Sequence, residues 1–289
     1  MQRDGESIES APSEAYTHGH HESVLRVHSW RTIENSAAYL APHLAAGARI
    51  LDVGSGPGTI TIDLARRVRP GLVTGVDAAA DVVARAAGLA GSERVENVEF
   101  RVGDAYALEF ADAAFDVVHA HQVLQHLARP VDALREFRRV LKPGGLLAVR
   151  DVDYGGVIWS PASPGLDRWL DLYHDVAIGN GGDPDAGRHL KRWVREAGFA
   201  DLEATASTWV FSTALEREWW GNSWAERATQ SQFAAHAIES GHSNPAELAR
   251  IAAAWREWAA DDDGWLLMPH AEVLARLSAT SPRRRRGHR

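Results

Sequence analysis

Between residues 49 and 151 the apolar pattern alternates between two periods, and this alternation narrows the possible folds more than any other feature. Short β-rich runs occur at RILDV (49–53), LVTGVD (72–77), VEFRVGD (98–104), FDVVHAH (115–121) and GLLAVRD (145–151). Helical patterns separate them: TIDLARRV (61–68) and DVVARAAGLA (81–90) follow the first two runs, and VDALREFRRVL (131–141) follows the fourth. The last of these closes with Lys142-Pro143-Gly144-Gly145, a basic final turn and then breakers, as a helix C-terminus requires. Strands separated by helices pair in parallel through right-handed crossovers, with helices on both faces. The central runs are continuously apolar, the pattern of strands covered on both sides. The expected fold is a doubly wound α/β sheet.

The flanks extend this plan. Residues 22–44 read as an amphipathic helix over the sheet's C-terminal edge, within a cap region spanning 16–46. Helical stretches near 165–178 and 187–197 lead to a strand at 202–212. One tryptophan precedes residue 159, whereas ten lie between 159 and 265, so the composition shifts sharply there. Residues 213–262 read as largely helical, with Asn244-Pro245 as a start signal and Leu248, Ile251, Trp255 and Trp258 on one stripe. This segment is expected to be a substrate lid inserted before a closing strand at 265–277. Pro269 then needs an edge or a bulge. The sheet has seven strands on this reading, mostly parallel, in a core of 47–212 plus 263–278. Residues 1–15 and 279–289 are read as tails.

The first strand runs directly into ILDVGSGPGTIT (50–61), with glycines at 54, 56 and 58. Such a turn between a strand and a helix lets a polar ligand approach backbone N–H groups and the helix N-terminus. A phosphate loop would end in Gly-Lys-Ser/Thr, but Thr59-Ile60 follows Gly58. The dinucleotide fingerprint is G-x-G-x-x-G, and here the spacing is G-x-G-x-G with Pro57 inside. A purely structural tight turn would also use one or two glycines. Two acids add to the loop. Asp77 ends the second run, 21 residues past Gly56, where a carboxylate takes ribose hydroxyls, and Asp104 ends the third. Acids without a lysine suit a ligand with hydroxyls, amines or positive charge better than a pyrophosphate.

Composition excludes several other classes. With no cysteine, thiolate catalysis, thiolate metal sites and disulfides are ruled out. No apolar run approaches the roughly 20 residues of a membrane span, and the acidic N-terminus does not read as a signal or transit peptide. A cytoplasmic protein is expected. The net charge of −8 disfavours nucleic acid and anionic lipid as partners. Five arginines crowd the last seven residues, but at a chain end they read as a solvated tail. The runs His18-Gly19-His20-His21 and Asp261-Asp262-Asp263-Gly264 lack a complete ligand set at a known spacing, so no metal is expected.

The ordered set LDVGSGPG, Asp77, VGDA (102–105) and LKPGG (141–145) resembles the class I S-adenosylmethionine-dependent methyltransferases, in particular the small-molecule branch related to ubiquinone/menaquinone biosynthesis. The resemblance covers about residues 16–212. It implies S-adenosylmethionine as cofactor, S-adenosylhomocysteine as product, and a small-molecule acceptor such as a natural product or a quinone-like compound. Carried over by position, Gly54, Ser55, Gly56 and Gly58 lie beside the methionyl and ribose parts, and Asp77 holds the ribose hydroxyls. Gly103, Asp104 and Ala105 surround the adenine. Asp52 orients the loop or a water, and His121 also belongs to the cofactor site. Ser55 stands where many relatives have cysteine. Tyr16 and His20 are read as a mobile N-terminal lid over the cofactor.

For the chemistry, His126 matches the position of a catalytic histidine in some relatives that methylate sugars and phenols, and Asp151 matches an acid near the acceptor. Together they make a base and its orienter. The alternatives remain open: His126 as a structural histidine, and Asp151 as a partner of nearby backbone. Trp219, Trp220 and Trp224 are candidates for an aromatic acceptor site, against ordinary core packing. Two rival functions share the fold, a dinucleotide oxidoreductase and a non-catalytic ligand-binding module. Both a monomer and a homodimer fit the sequence.

Overall fold

The computed structural model describes residues 29–279. Strands β1 (Ile50–Val53), β2 (Val73–Asp77), β3 (Val98–Val102), β4 (Phe115–His121) and β5 (Leu141–Val152) pair in parallel in the order β3-β2-β1-β4-β5. Helices α2 (Thr59–Val68), α3 (Ala80–Ser92) and α4 (Pro130–Val140) make the crossovers. The doubly wound, mostly parallel sheet expected from the alternation is present. Its faces follow the two-residue period of a strand. Leu51, Val53, Val118, Ala120, Leu147 and Val149 pack with Leu134 and Phe137 of α4. Ile50, Val117, Leu146 and Ala148 face the other way, onto Ile60, Ile62 and Leu64 of α2.

Three further strands complete the sheet. They are β6 (Ile158–Ser160), β7 (Asp201–Phe211) and β8 (Trp265–Arg276), and β8 alone runs antiparallel to the rest. The count is eight rather than seven because of β6, three residues too short to stand out from the sequence. β8 lies inside the sheet, with β7 on one side and β5 followed by β6 on the other. Pro269 falls in the gap between β5 and β6. Its carbonyl points into that gap, accepting from the Asp153 N–H at 3.0 Å. The nitrogen of a strand residue points to the same side as its carbonyl, so the missing donor costs the β7–β8 ladder nothing.

Residues 22–28 of the expected N-terminal helix lie outside the described residues and Ser29 is helical. Beyond it the chain departs from expectation, forming a short helix, α1 (Ile33–Ser36), and a single tight turn at Ala41–His43. The Thr32–Asn35 capping box starts α1, and Pro42 prevents a continuous helix. Ile33, Ala37 and Leu40 still bury against α2, and the Trp209 indole N–H donates to the Asn35 carbonyl at 2.7 Å.

After β6 come α5 (Pro164–Gly179) and α6 (Ala186–Glu196); α7 (Ala214–Gln230), α8 (Gln232–Glu239) and α9 (Pro245–Ala260) separate β7 from β8. Trp169, Trp224 and Trp255 meet at their centre, with ring centroids 4.7 to 5.9 Å apart. The stripe Leu248, Ile251, Trp255 and Trp258 is buried there. The local rise in tryptophan thus builds a second apolar core, each ring burying roughly 150–250 Å².

Candidate active site

β1 to β4 are parallel, so their C-terminal ends lie along one rim, and the order of strands reverses about β1. Open α/β sheets form a crevice at such a point. A cleft of about 760 Å³ lies there. Residues 54–58 turn the chain from β1 into α2 with Gly54 and Gly58 at φ +70° and +88°, angles that favour glycine. Space requires glycine as well. A Cβ at Gly54 would fall 2.3 Å from Val123 Cγ2, and one at Gly58 would fall 2.8 Å from Phe100 Cζ. The N–H groups of Gly54 and Ser55 donate to the Val76 carbonyl at 2.7 and 3.0 Å, fastening the loop to β2.

The carboxylates sit at this end. Asp77 Oδ2 accepts from the Gly56 N–H at 3.0 Å and Oδ1 from the Ala79 N–H at 3.1 Å. Each oxygen retains a second lone pair for a ligand hydroxyl. Asp104 Oδ1 accepts from the Tyr106 N–H at 2.8 Å, which leaves the other oxygen for an amine. Gly103 and Ala105 flank it, and Ala79, Val82 and Val102 add an apolar wall. Asp52 has both oxygens engaged: Oδ2 accepts from the Thr61 hydroxyl at 2.6 Å and Oδ1 from His119 Nδ1–H at 2.7 Å. It locks β1, α2 and β4 together beneath the loop.

The opposite end carries Arg31, His121, Gln122 and His126. Gln122, directly after β4, has φ +54°, an uncommon conformation for a residue with a side chain. Its carbonyl Oε1 accepts from Arg31 at 2.6 Å, and its amide Nε2 lies 2.8 Å from His270 Nε2. His270 Nδ1 donates to the Met268 carbonyl at 3.1 Å, so its Nε2 is the acceptor and the Gln122 amide the donor. A chain of hydrogen bonds therefore runs from the β8 backbone to the Arg31 guanidinium. His121 is buried, and neither of its ring nitrogens has a partner among the described residues. Burial, aided by the nearby Arg150 and Arg31 charges, pushes its pKa well below the usual histidine range. Burial likewise lowers His126 to about 3, with Arg31 contributing.

Asp151 does not join His126. It is fully buried, lies outside the cleft, and accepts the Gln125 N–H through Oδ1 at 3.2 Å. Burial raises its pKa to about 8, so it carries a proton at neutral pH. The expected base–orienter pair is absent because Gln125 stands between the two. Its backbone bonds Asp151, and its amide lies 3.0 Å from His126 Nε2.

Tyr16 and His20 lie outside the described residues. No residue of 213–262 lines the cleft. Trp220 and Trp224 are spent in the second core, and the half-buried Trp219 instead touches Trp30, with ring centroids 5.4 Å apart. His119, which alternates with His121 along the FDVVHAH run, is the one of that pair spent inside the protein, on Asp52. Arg31, Gln122 and His270 escaped the sequence reading. Only Gln122 carried a signal, its place directly after the FDVVHAH strand. Among the described residues no cluster has the makings of a metal site, and no helix is long and apolar enough to cross a membrane.

A family model described as a methyltransferase domain matches residues 44–198. The chain belongs to that methyltransferase family. This methyltransferase is 32% identical over 268 residues to the uncharacterized methyltransferase C1B3.06c of Schizosaccharomyces pombe, spanning 90% of this chain and 95% of the other. The solved structure of the [4+2]-cyclase SpnF aligns with a TM-score of 0.52 and 27% identity, covering 89% of this chain and 80% of SpnF. A Haemonchus contortus phosphoethanolamine N-methyltransferase, solved with S-adenosylhomocysteine, shares the fold at a TM-score of 0.51 and 20% identity, over 81% of this chain and 50% of its own. The cofactor is S-adenosylmethionine. The spare lone pairs of Asp77, the second oxygen of Asp104 and the apolar wall between them fit its ribose, amine and purine. Replacing Asp77 by Ala is expected to weaken S-adenosylhomocysteine binding by about 1–3 kcal/mol, roughly 5- to 150-fold. Isothermal titration measures this directly, and an unchanged affinity would remove Asp77 from the ribose site.

Proposed function

We propose that this methyltransferase methylates a hydroxyl oxygen on a small, partly apolar acceptor seated at the Arg31–His126 end of the cleft. One observation carries the reading: a single cleft holds the acids suited to the cofactor at one end and neutral or cationic polar side chains at the other. Its volume is that of a small-molecule site rather than a polymer groove. When bound, the cofactor supplies a methyl group on positively charged sulfur, so the chain is left to align the acceptor and exclude water.

Each part of the chain has a role in that alignment. The glycine loop and Asp77 fix the cofactor's position along the rim. His126, its Nε2 facing the Gln125 amide, presents the acceptor with a hydrogen-bonding ring of fixed orientation. Asp151 stays outside the chemistry and holds the Gln125 backbone. The helices of 213–262 act at one remove: Trp219 braces Trp30, and with it the segment that brings Arg31 to the cleft.

Replacing His126 by Ala is expected to lower label transfer from methyl-radiolabelled S-adenosylmethionine to an aromatic-alcohol panel by about 10- to 100-fold, the loss of one hydrogen bond to a charge-bearing oxygen in the transition state. Affinity for S-adenosylhomocysteine should stay within about twofold, since His126 faces the acceptor in this reading and makes no contact on which the cofactor depends. Equal transfer by the variant would take His126 out of the reaction. Transfer only to amines or carbon acids would overturn oxygen as the target.

A further inference from the structure

His121 ends β4 and lines the cleft. It is only 5% exposed, yet neither of its ring nitrogens has a partner among the described residues. Its place is closely fixed all the same. The ring lies nearly parallel to that of His270, with centroids 6.3 Å apart, and tilts against Trp209 at 5.9 Å. The next residue, Gln122, leaves β4 at φ +54° and donates its N–H to the Arg150 carbonyl at 2.7 Å, pinning the strand end to β5. Backbone angles of that kind persist where the surrounding structure enforces them, and they cluster at functional sites. Burial, then the charges of Arg150 and Arg31, hold the His121 pKa well below the usual histidine range, so the ring is neutral. A neutral imidazole always carries one N–H, and a buried donor left without an acceptor is costly.

Arg150 is the β5 partner of His121 in the strand register, so both side chains leave the same face of the sheet, their strands about 5 Å apart. Arg150 directs Nε and Nη2 at Ser207 and Glu272, whereas its Nη1 is buried and unpartnered among the described residues. A neutral imidazole beside a guanidinium turns its lone pair toward the cation and its proton away from it. The N–H is thereby left for the cleft. We propose that His121 reads the methyl acceptor, donating this N–H to an uncharged carbonyl oxygen that the acceptor carries in addition to the hydroxyl that is methylated. His121 then belongs to the acceptor rather than to the cofactor, as its place in the sequence suggests. This rests on the methyl-transfer reading only for which end of the cleft takes the acceptor.

A carbonyl oxygen accepts and donates nothing, so it satisfies the His121 N–H without burying a new donor. A second hydroxyl would bring in a proton that needs an acceptor of its own. An ammonium group finds no lone pair on His121, because that nitrogen is turned toward Arg150. The cation across the register is already balanced, since Glu272 Oε1 lies 3.3 Å from Arg150 Nε. His121 therefore offers the ligand a dipole and not a charge, which suits a neutral oxygen better than one that has to shed the hydration of a full charge. The acceptor class is accordingly a hydroxy-carbonyl compound, such as a hydroxyketone. The contact is one of recognition: His121 neither gains nor loses a proton when the methyl group moves to the hydroxyl.

Matched pairs of probes test this: 2′-, 3′- and 4′-hydroxyacetophenone against 2-, 3- and 4-ethylphenol. The members of a pair differ by a carbonyl oxygen in place of two hydrogens, and neither is ionised at pH 6.5. Each is titrated calorimetrically at that pH into the full chain saturated with S-adenosylhomocysteine. At least one ketone is expected to bind about tenfold tighter than its ethylphenol. His121→Phe or, should that variant not fold, His121→Leu is expected to bring the ratio to within about twofold, and His121→Gln, which keeps an N–H donor, to retain part of it. Affinity for S-adenosylhomocysteine should stay within about threefold throughout. Structural damage alone would weaken both members of a pair and leave their ratio, so the ratio reports the hydrogen bond itself. Failure of every probe to bind, the lack of a ketone preference in all pairs, or a preference that survives loss of the imidazole would overturn the proposal. About a tenfold loss of S-adenosylhomocysteine affinity in the donorless variant would overturn it too, assigning His121 to the cofactor. So would tighter binding of 3- or 4-hydroxybenzoate than of the matching ketone, which would make this a carboxylate site. The titration involves no turnover, so the ketone preference can fail while methyl transfer stands, and label transfer can fail while the preference holds.

Discussion

Replacing Glu272 by Ala is expected to destabilise the protein by about 3–5 kcal/mol, the cost of leaving a buried charge without its partner. Glu272 on β8 faces Arg150 on β5, where the guanidinium is fully buried and its pKa is pulled down by burial to about 10. Oε1 lies 3.3 Å from Arg150 Nε and accepts from the Ser207 hydroxyl, while Oε2 accepts from Thr205 at 3.0 Å. In the variant, Arg150 would keep the Ser207 oxygen and the face of Trp209, 5.1 Å away. A neutral hydroxyl and a ring do not replace a carboxylate in a dry interior. For a chain of this size the melting temperature should fall by about 5–8 °C. The double variant Arg150→Met/Glu272→Leu should recover most of the loss, because an apolar pair of similar volume avoids the desolvation of both ions. Urea unfolding of the three proteins measures the difference. If Glu272→Ala lost less than about 1 kcal/mol, as an exposed pair would, Glu272 would not be the counter-ion of Arg150.

The contrast between Glu272 and Asp77 shows which parts of this molecule could be read in advance. Asp77 is legible because its function follows from local order: a strand, a glycine turn, a helix, then the next strand end, each marked by period and breakers. The glycine loop is legible for the same reason, its positive angles and close approaches leaving a trace in residue type. Arg150, Glu272, Gln122 and His270 are different. Gln122 and His270 are separated by 148 residues and meet only because β8 inserts antiparallel beside β5, a pairing that neither local pattern encodes. Arg31 lies in a stretch that reads as a continuous helix, but it falls in a break between the helical Ser29 and α1, held there by tertiary contacts. The tryptophans point to burial, as their area demands, but not to which core they bury in. His126 and Asp151 fall at adjacent strand ends, as their spacing suggests. What spacing does not reveal is that Gln125, one residue away, takes up both.

Replacing Asp151 by Asn should make stability less sensitive to alkali while leaving turnover near pH 7 intact. In the unfolded chain the carboxyl ionises near 3.8, and in the folded protein burial holds it to about 8. Between those values the folded state keeps a proton that the unfolded state has released, so wild-type stability falls as pH rises, by up to about 1.4 kcal/mol per pH unit. The buried His121, His126 and His270 act in the opposite sense. Their pKa values are lowered from 6.5, so below that pH the unfolded chain takes up protons the folded chain refuses, and stability falls towards acid. Both effects are present in the wild type, but only the first is missing from the variant. Asparagine keeps an oxygen for the Gln125 N–H and cannot ionise. The stability difference between variant and wild type should therefore move in the variant's favour by on the order of 3 kcal/mol from pH 5 to 8, measured by urea unfolding at each pH. A flat difference would show that Asp151 is ionised in the folded protein. Turnover decides its chemical role separately. A group already protonated at neutral pH cannot accept a proton from the acceptor, so unchanged label transfer is expected. Loss of transfer with intact S-adenosylhomocysteine binding would instead return Asp151 to the reaction.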